Sequence, residues 1–203
     1  MKRFVSAVLA LGAGASMALG TGTVIPVNVS NIPSHDGYDL AGNTVGTLNV
    51  ALALGLPNGT ACTMNGIGWD VNLFADPAVG PFGGSWLQEL AADFDNSAHN
   101  SADEFFLTPG AGNTNSGVGH FISDANGDGI VDILKLRDPT VGLNDLQLPD
   151  GVLRVQFFET FDDAVGVDDG QWRTLSILYI QATPEPASFG LLALGALALL
   201  RRR

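Results

Sequence analysis

Residues 67–73 read Ile-Gly-Trp-Asp-Val-Asn-Leu, a strict alternation that puts Trp69, Val71 and Leu73 on one side of an extended chain and Asp70 and Asn72 on the other. A helix would scatter those three apolar groups around its axis, so the pattern has a use only in a strand with one face on a core. The same signature returns at 152–161, where Leu153, Val155 and Phe157 share one face and Arg154 and Gln156 the other. Further runs of branched and aromatic residues lie at 21–29, 45–56, 104–108, 119–123, 130–136 and 172–182, between Gly-, Asn- and Pro-rich stretches such as 31–43, 96–100 and 109–117. This spacing predicts an all-β fold, a single antiparallel β-sandwich of the jelly-roll kind. One segment departs from it: Trp86, Leu87, Leu90, Ala91 and Phe94 fall at helical spacing and predict a short amphipathic helix.

Charge narrows the function classes. Of the 9 basic side chains in the 203-residue chain, Lys2, Arg3, Arg201, Arg202 and Arg203 sit at the ends. Residues 21–182 therefore hold four cations (Lys135, Arg137, Arg154 and Arg173) against twenty acids, seventeen of them Asp, a net of about −16. Such a field repels phosphate backbones and anionic lipid, which excludes nucleic acid as a partner. Cys62 is the single cysteine, so neither an intrachain disulfide nor a thiolate metal cluster is available. Residues 21–182 are long enough to bury one adequate core without staples, and no internal repeat calls for a second domain.

The two ends read as addresses. Met1-Lys2-Arg3 precedes an apolar run over 4–19, and small residues at Ser16, Ala18 and Gly20 suit a signal peptidase, so residues 1–20 are expected to be a secretory signal peptide. At the other end, residues 187–200 are uncharged and stop at Arg201-Arg202-Arg203. As a helix these fourteen residues are about 21 Å long, a marginal membrane span against a hydrocarbon core of about 30 Å. Pro184 and Pro186 stop that helix from running back into the domain, and the arginines hold its far end in the cytoplasm, leaving the domain outside.

Pro184-Glu185-Pro186, then Ala187-Ser188, an apolar helix and a terminal arginine cluster together resemble the PEP-CTERM sorting signal, also known as an ice-binding protein C-terminal domain. The resemblance covers residues 183–203 only and attributes no ice binding to residues 21–182. It implies an exosortase-type transpeptidase as partner, which recognises tripeptide and helix in the inner membrane, removes the tail, and releases or attaches the protein at the cell surface. It also implies bacteria that make exopolysaccharide and biofilm matrix. A plain membrane-anchored surface protein that keeps its tail is the competing reading.

One loop carries chemistry. Asp124-Ala-Asn126-Gly-Asp128-Gly129-Ile130-Val-Asp132 offers side-chain oxygens at positions 1, 3, 5 and 9, a glycine at 6 and the Ile130 carbonyl at 7, the spacing of a calcium loop. Position 12, a bidentate Glu in an EF-hand, is Lys135, so the stretch more closely resembles the loop of FG-GAP or VCBS-type repeats, in which a strand follows directly. Dockerin-type modules share the first half but need two copies. The missing bidentate ligand places the expected calcium affinity in the weak extracellular class, about 10⁻⁴ to 10⁻³ M. The same Asn-Gly and Asp-Gly pairs also form turns with no metal.

No other pattern points to a reaction. His35, His99 and His120 are isolated in sequence, and Gly83-Gly84-Ser85-Trp86-Leu87 lacks the last glycine of a nucleophile elbow. Asp93, Asp95, Asp103 and Glu104, like Asp162, Asp163, Asp168 and Asp169, read as solvated charge, Glu159 as the outward residue of a strand, and Cys62 as an inert thiol. Trp69, Trp86 and Trp172 suit sugar stacking where exposed but more often fill cores. The expectation is a non-enzymatic exported protein with a structural or adhesive role at the surface or in the matrix, binding calcium and contacting extracellular polysaccharide. The alternative is a polysaccharide-active enzyme on the same scaffold, marked by two carboxylates facing each other across an aromatic-lined cleft.

Overall fold

The computed structural model describes residues 22–78, 84–138, 140, 142–161 and 167–185. The expected signal peptide at 1–20, Asp162, Asp163, Pro186, the apolar segment 187–200 and the three terminal arginines lie outside the described residues.

The described strands form two antiparallel sheets face to face, as the alternation predicts. The sequence around Trp69 is the middle of a 14-residue strand, Cys62–Ala75 (β4 in chain order). Before it come β1 (Thr23–Asn28), β2 (Ile32–Ser34), β3 (Thr44–Asn49) and a single helical turn α1 (Val50–Ala53), the last capped by the Asn49 side chain accepting from the Leu52 N–H at 2.9 Å. After it come β5 (Leu90–Asn96), β6 (Phe105–Leu107), β7 (Gly117–Ile122), β8 (Leu134–Lys135), β9 (Leu146–Leu148), β10 (Val152–Glu159), β11 (Gly170–Trp172) and β12 (Ile177–Pro184). The large sheet runs β1-β12-β4-β11-β2, and β7, β8 and β9 also pair with β4; the small sheet runs β3-β10-β5-β6. Too long for one neighbour, β4 gives residues 62–70 to β12 and 73–75 to β11, and its other edge to β9, β8 and β7 in turn.

The core lies between the sheets. Met64, Val71 and Leu73 of β4 and Leu178 and Ile180 of β12 meet Leu90, Ala92 and Phe94 of β5 and Leu153, Val155 and Phe157 of β10. Trp172 is fully buried with its ring edge-on to Phe157, centroids 5.1 Å apart, and Phe94 stacks on Phe105 at 4.9 Å. Val71 and Leu73 are buried as expected, while Trp69 is half-buried at the margin of the core.

The segment expected as a helix is not one: Leu87–Glu89 form a turn and Leu90 onward is β5. Leu90 and Phe94 satisfy a helical repeat and a two-residue repeat equally, and Ala92 between them faces the core as well. The strand prevails because both of its edges are paired, with β10 and with β6, which no isolated helical turn of this length can match.

Replacing Trp172 by Ala is expected to cost about 3–5 kcal/mol in urea denaturation, since it removes the largest fully buried side chain. Leu52→Ala, on the exposed side of α1, is expected to stay within about 0.5 kcal/mol.

Candidate functional site

The 124–132 loop is fastened to β4 by Ser123 and a bare strip of backbone. The Ser123 N–H donates to the Trp69 carbonyl (2.9 Å), and its hydroxyl accepts from the Trp69 N–H (2.9 Å) while donating to the Asp132 carbonyl (2.8 Å). A Cβ on Gly68 would stand 2.8 Å from that Asp132 carbonyl oxygen, so glycine alone lets the loop lie this close to the sheet. Inside the loop, Asp124 Oδ1 accepts from the N–H groups of Gly127 (2.6 Å) and Asp128 (3.1 Å), and Oδ2 from Gly129 (2.6 Å). Asn126 accepts from Asp128, Asp128 from Ile130 and Asp132 from Ala125, each at 2.9 Å. Gly129 sits at φ 79°, where a side chain would be strained. The N–H of Gly129, then those of Gly127 and Asp128, hold the Asp124 carboxyl below the usual carboxylate range. The five positions singled out by spacing, Asp124, Asn126, Asp128, Ile130 and Asp132, thus belong to one compact loop of Asx turns. Those turns consume the beginning of the strand expected at 130–136, which is reduced to Leu134–Lys135.

A second group of polar residues lies on the outer face of the small sheet. Asp93 and Asp95, expected to be solvated, are fully buried. The reason is their place on β5, an interior strand whose outer face is covered by Tyr38 and by the turn leading to β6. Tyr38 packs on Phe106 (4.8 Å) and Phe158 (5.3 Å), and its hydroxyl donates to Glu104 and lies 3.3 Å from His99 Nε2. Asp93 Oδ2 accepts from Arg154 Nη1 at 3.1 Å, and Arg154 Nη2 donates to Gln156 at 2.7 Å; Asp93 Oδ1 is buried without an N–H donor, and the Asp93 carboxyl is in hydrogen-bond contact with that of Glu104. Asp95 Oδ1 accepts from the N–H groups of Asn96 (2.6 Å) and Ser101 (3.0 Å). One ligand-type atom each from Asp93, His99 and Glu104 lie within 4.8 Å of one another. The pattern Asp-x5-His-x4-Glu was visible in the sequence, but it gains meaning only once 90–107 is recognised as a strand, a turn and a returning strand.

Glu159, Asp169 and Glu89 are buried too, whereas Asp168 is exposed as expected. Glu159 is buried rather than outward, and its N–H donates to the Asp36 carbonyl at 3.0 Å. Counting by twos from Leu153 puts it on the inner face with Phe157. Asp169 is buried and accepts from the Ser85 hydroxyl at 2.9 Å. Glu89 accepts from the Trp86 N–H at 2.7 Å and lines a cleft of about 760 Å³ shared with Trp86, Gln88, Thr108, Thr160 and Phe161. Trp86 is 40% exposed and Phe161 57%. Cys62 is buried, and its thiol is pushed up to about 11 by burial and by the charge of Glu185.

Burial above all, then the charge of Glu104, raises the Asp93 carboxyl to about 7, with Arg154 opposing. An acid at about 7 in the folded chain and about 3.9 in the unfolded one keeps its proton longer when folded, so its contribution is intact below about pH 4 and is lost as pH rises to about 7. In buffer containing EDTA, urea midpoints are expected to fall over that window, and the fall is expected to be smaller in Asp93→Asn.

At the end of β12 the backbone passes without a break into the expected sorting tripeptide. Pro184 is the last rung, opposite Cys62, and the Glu185 N–H donates to the Ala61 carbonyl at 3.1 Å. Two residues of the segment expected to begin at 183 are therefore part of the sheet. Among the described residues no helix is long and apolar enough to cross a membrane. No curated protein and no solved structure matches the chain. Residues 182–203 match the family model of the PEP-CTERM protein-sorting motif, which implies an exported protein that passes through a membrane-held intermediate and is recognised by exosortase.

Proposed function

We propose that the β-sandwich is a non-enzymatic surface or matrix protein that contacts extracellular polysaccharide at the Trp86–Phe161 cleft. The observation that carries this reading is the exposure of Trp86. Of the three tryptophans, Trp172 is buried and Trp69 half-buried, whereas Trp86 stands 40% exposed on a concave surface. An indole face beside the amide of Gln88 and the hydroxyls of Thr108 and Thr160 offers what a sugar ring needs, an apolar platform with hydrogen-bonding groups at its rim. The volume of about 760 Å³ suits a short stretch of a glycan chain. Glycoside hydrolysis uses two carboxylates, and among the described residues lining the cleft Glu89 is the single acid, committed to the Trp86 N–H. Export toward the cell surface, implied by the sorting motif, supports the reading by placing such a cleft where extracellular polysaccharide is met.

The mature exported protein is expected to bind the host's exopolysaccharide in affinity electrophoresis, and Trp86→Ala to weaken binding about tenfold, or about 1.4 kcal/mol, without lowering the melting temperature. Unchanged binding in the variant, or none in the wild type, would reject the cleft as the contact.

A second reading, calcium at the 124–132 loop, is favoured by a backbone folded tightly about the Asp124 carboxylate. Asp124 Oδ2, Asp128 Oδ1 and Asp132 Oδ2 each accept a single N–H and keep a second lone pair for a hard cation, whereas Asp124 Oδ1 accepts two. Three carboxylates on one turn repel one another, and a cation relieves this. Millimolar CaCl₂ is expected to raise the melting temperature of the wild type and not that of Asp128→Ala; an equal rise in both places the ion elsewhere.

A further inference from the structure

We propose that Asp93, His99 and Glu104 form a binding site for one divalent ion of the zinc class on the outer face of the small sheet. The three side chains come from the strand β5, from the turn after it and from the residue just before β6, and one donor atom of each lies within 4.8 Å of the others. Zinc ligands sit about 2.0–2.2 Å from the ion, and so about 3–4 Å from one another, within reach of small side-chain rotations here. The second observation is Asp93 itself. It is fully buried, Arg154 holds its Oδ2, its Oδ1 meets no N–H donor, and its carboxyl is in hydrogen-bond contact with that of Glu104. Two carboxyls in contact at a buried position need a proton or a cation between them, and with the His99 imidazole at hand a dication can take the place of the proton.

The donor set chooses among ions. Calcium and magnesium prefer oxygen throughout, whereas one imidazole nitrogen with two carboxylates suits zinc and its first-row neighbours. Two carboxylates and a neutral imidazole balance a dication. Arg154 and Tyr38 act as the supporting shell, the first fixing the plane of Asp93 and the second tying Glu104 with its hydroxyl. The His99 side chain is 28% exposed, which leaves a path for an ion from solvent. The site lies on the sheet opposite the 124–132 loop and depends on neither the glycan reading nor the calcium reading.

The test uses the full exported protein stripped with EDTA and titrated with ZnCl₂ at pH 7 by calorimetry. One equivalent is expected to bind and raise the melting temperature. Glu104→Gln and His99→Asn, the latter chosen because Asn tolerates the positive φ of 52° at that position, are each expected to weaken binding at least tenfold. Asp128→Ala is expected to leave it unchanged, and CaCl₂ not to displace the ion. Cobalt in place of zinc is expected to give visible absorption bands that His99→Asn abolishes. Circular dichroism establishes that each variant is folded; if Glu104→Gln is not, His99→Asn on the half-exposed turn decides. No uptake at several hundred micromolar zinc, uptake unchanged in the folded variants, or equal displacement by calcium would each overturn the proposal.

Discussion

A long strand inside a sheet must find a hydrogen-bond partner for every backbone N–H and C=O along both edges, and β4 imposes that demand over fourteen residues. Five strands share the task, β12 and β11 on one side and β9, β8 and β7 on the other. Much that bears on function follows from who those partners are. The 124–132 loop lies between β7 and β8 and is held against β4 by Ser123. Trp172, the largest buried side chain, arrives on β11. The strand that continues into the sorting motif is β12, paired on both sides with β1 and β4. Attaching the export signal to an interior strand rather than to a loose end means that the last residues before Pro186 are ordered with the domain. Any protease or transferase that works on the tripeptide meets backbone already engaged with Ala61.

The small sheet solves a different problem. Its inner face is apolar packing apart from Glu159 at the end of β10, but its outer face buries Asp93 and Asp95 beneath an aromatic cover of Tyr38, Phe106 and Phe158. Burying carboxylates usually destabilises a fold unless cations and hydrogen bonds offset the lost hydration. Arg154 supplies one offset, and the N–H groups of Asn96 and Ser101 another. What they leave over is one oxygen each of Asp93 and Asp95 without an N–H donor, the Asp93 carboxyl lying against that of Glu104 and close to His99. Polar groups kept in such a place at a cost in stability mark a site more reliably than exposed acids do.

Alternation at 67–73 and 152–157, the turn-formers between the apolar runs, the spacing of the 124–132 loop and the sorting tripeptide were all legible in the sequence, because each is local. A two-residue period, a glycine at a tight turn and a short linear signal are written within ten or twenty residues. The reading failed where two periods agreed, at Leu90 and Phe94, and where the face of a residue depended on what lay above it. Asp93 and Asp95 look like solvent-facing positions by every local rule.

By itself, then, the sequence determined that the chain is a two-sheet β protein addressed for export, with one acidic loop and a charge that repels nucleic acid. Only the tertiary structure decided which tryptophan meets solvent, that Glu159 points inward, and that Asp93, His99 and Glu104 come together beneath Tyr38. The reason is physical. Hydrogen-bond periodicity and turn geometry act between near neighbours, whereas burial is set by the surfaces that distant segments bring to bear on each other.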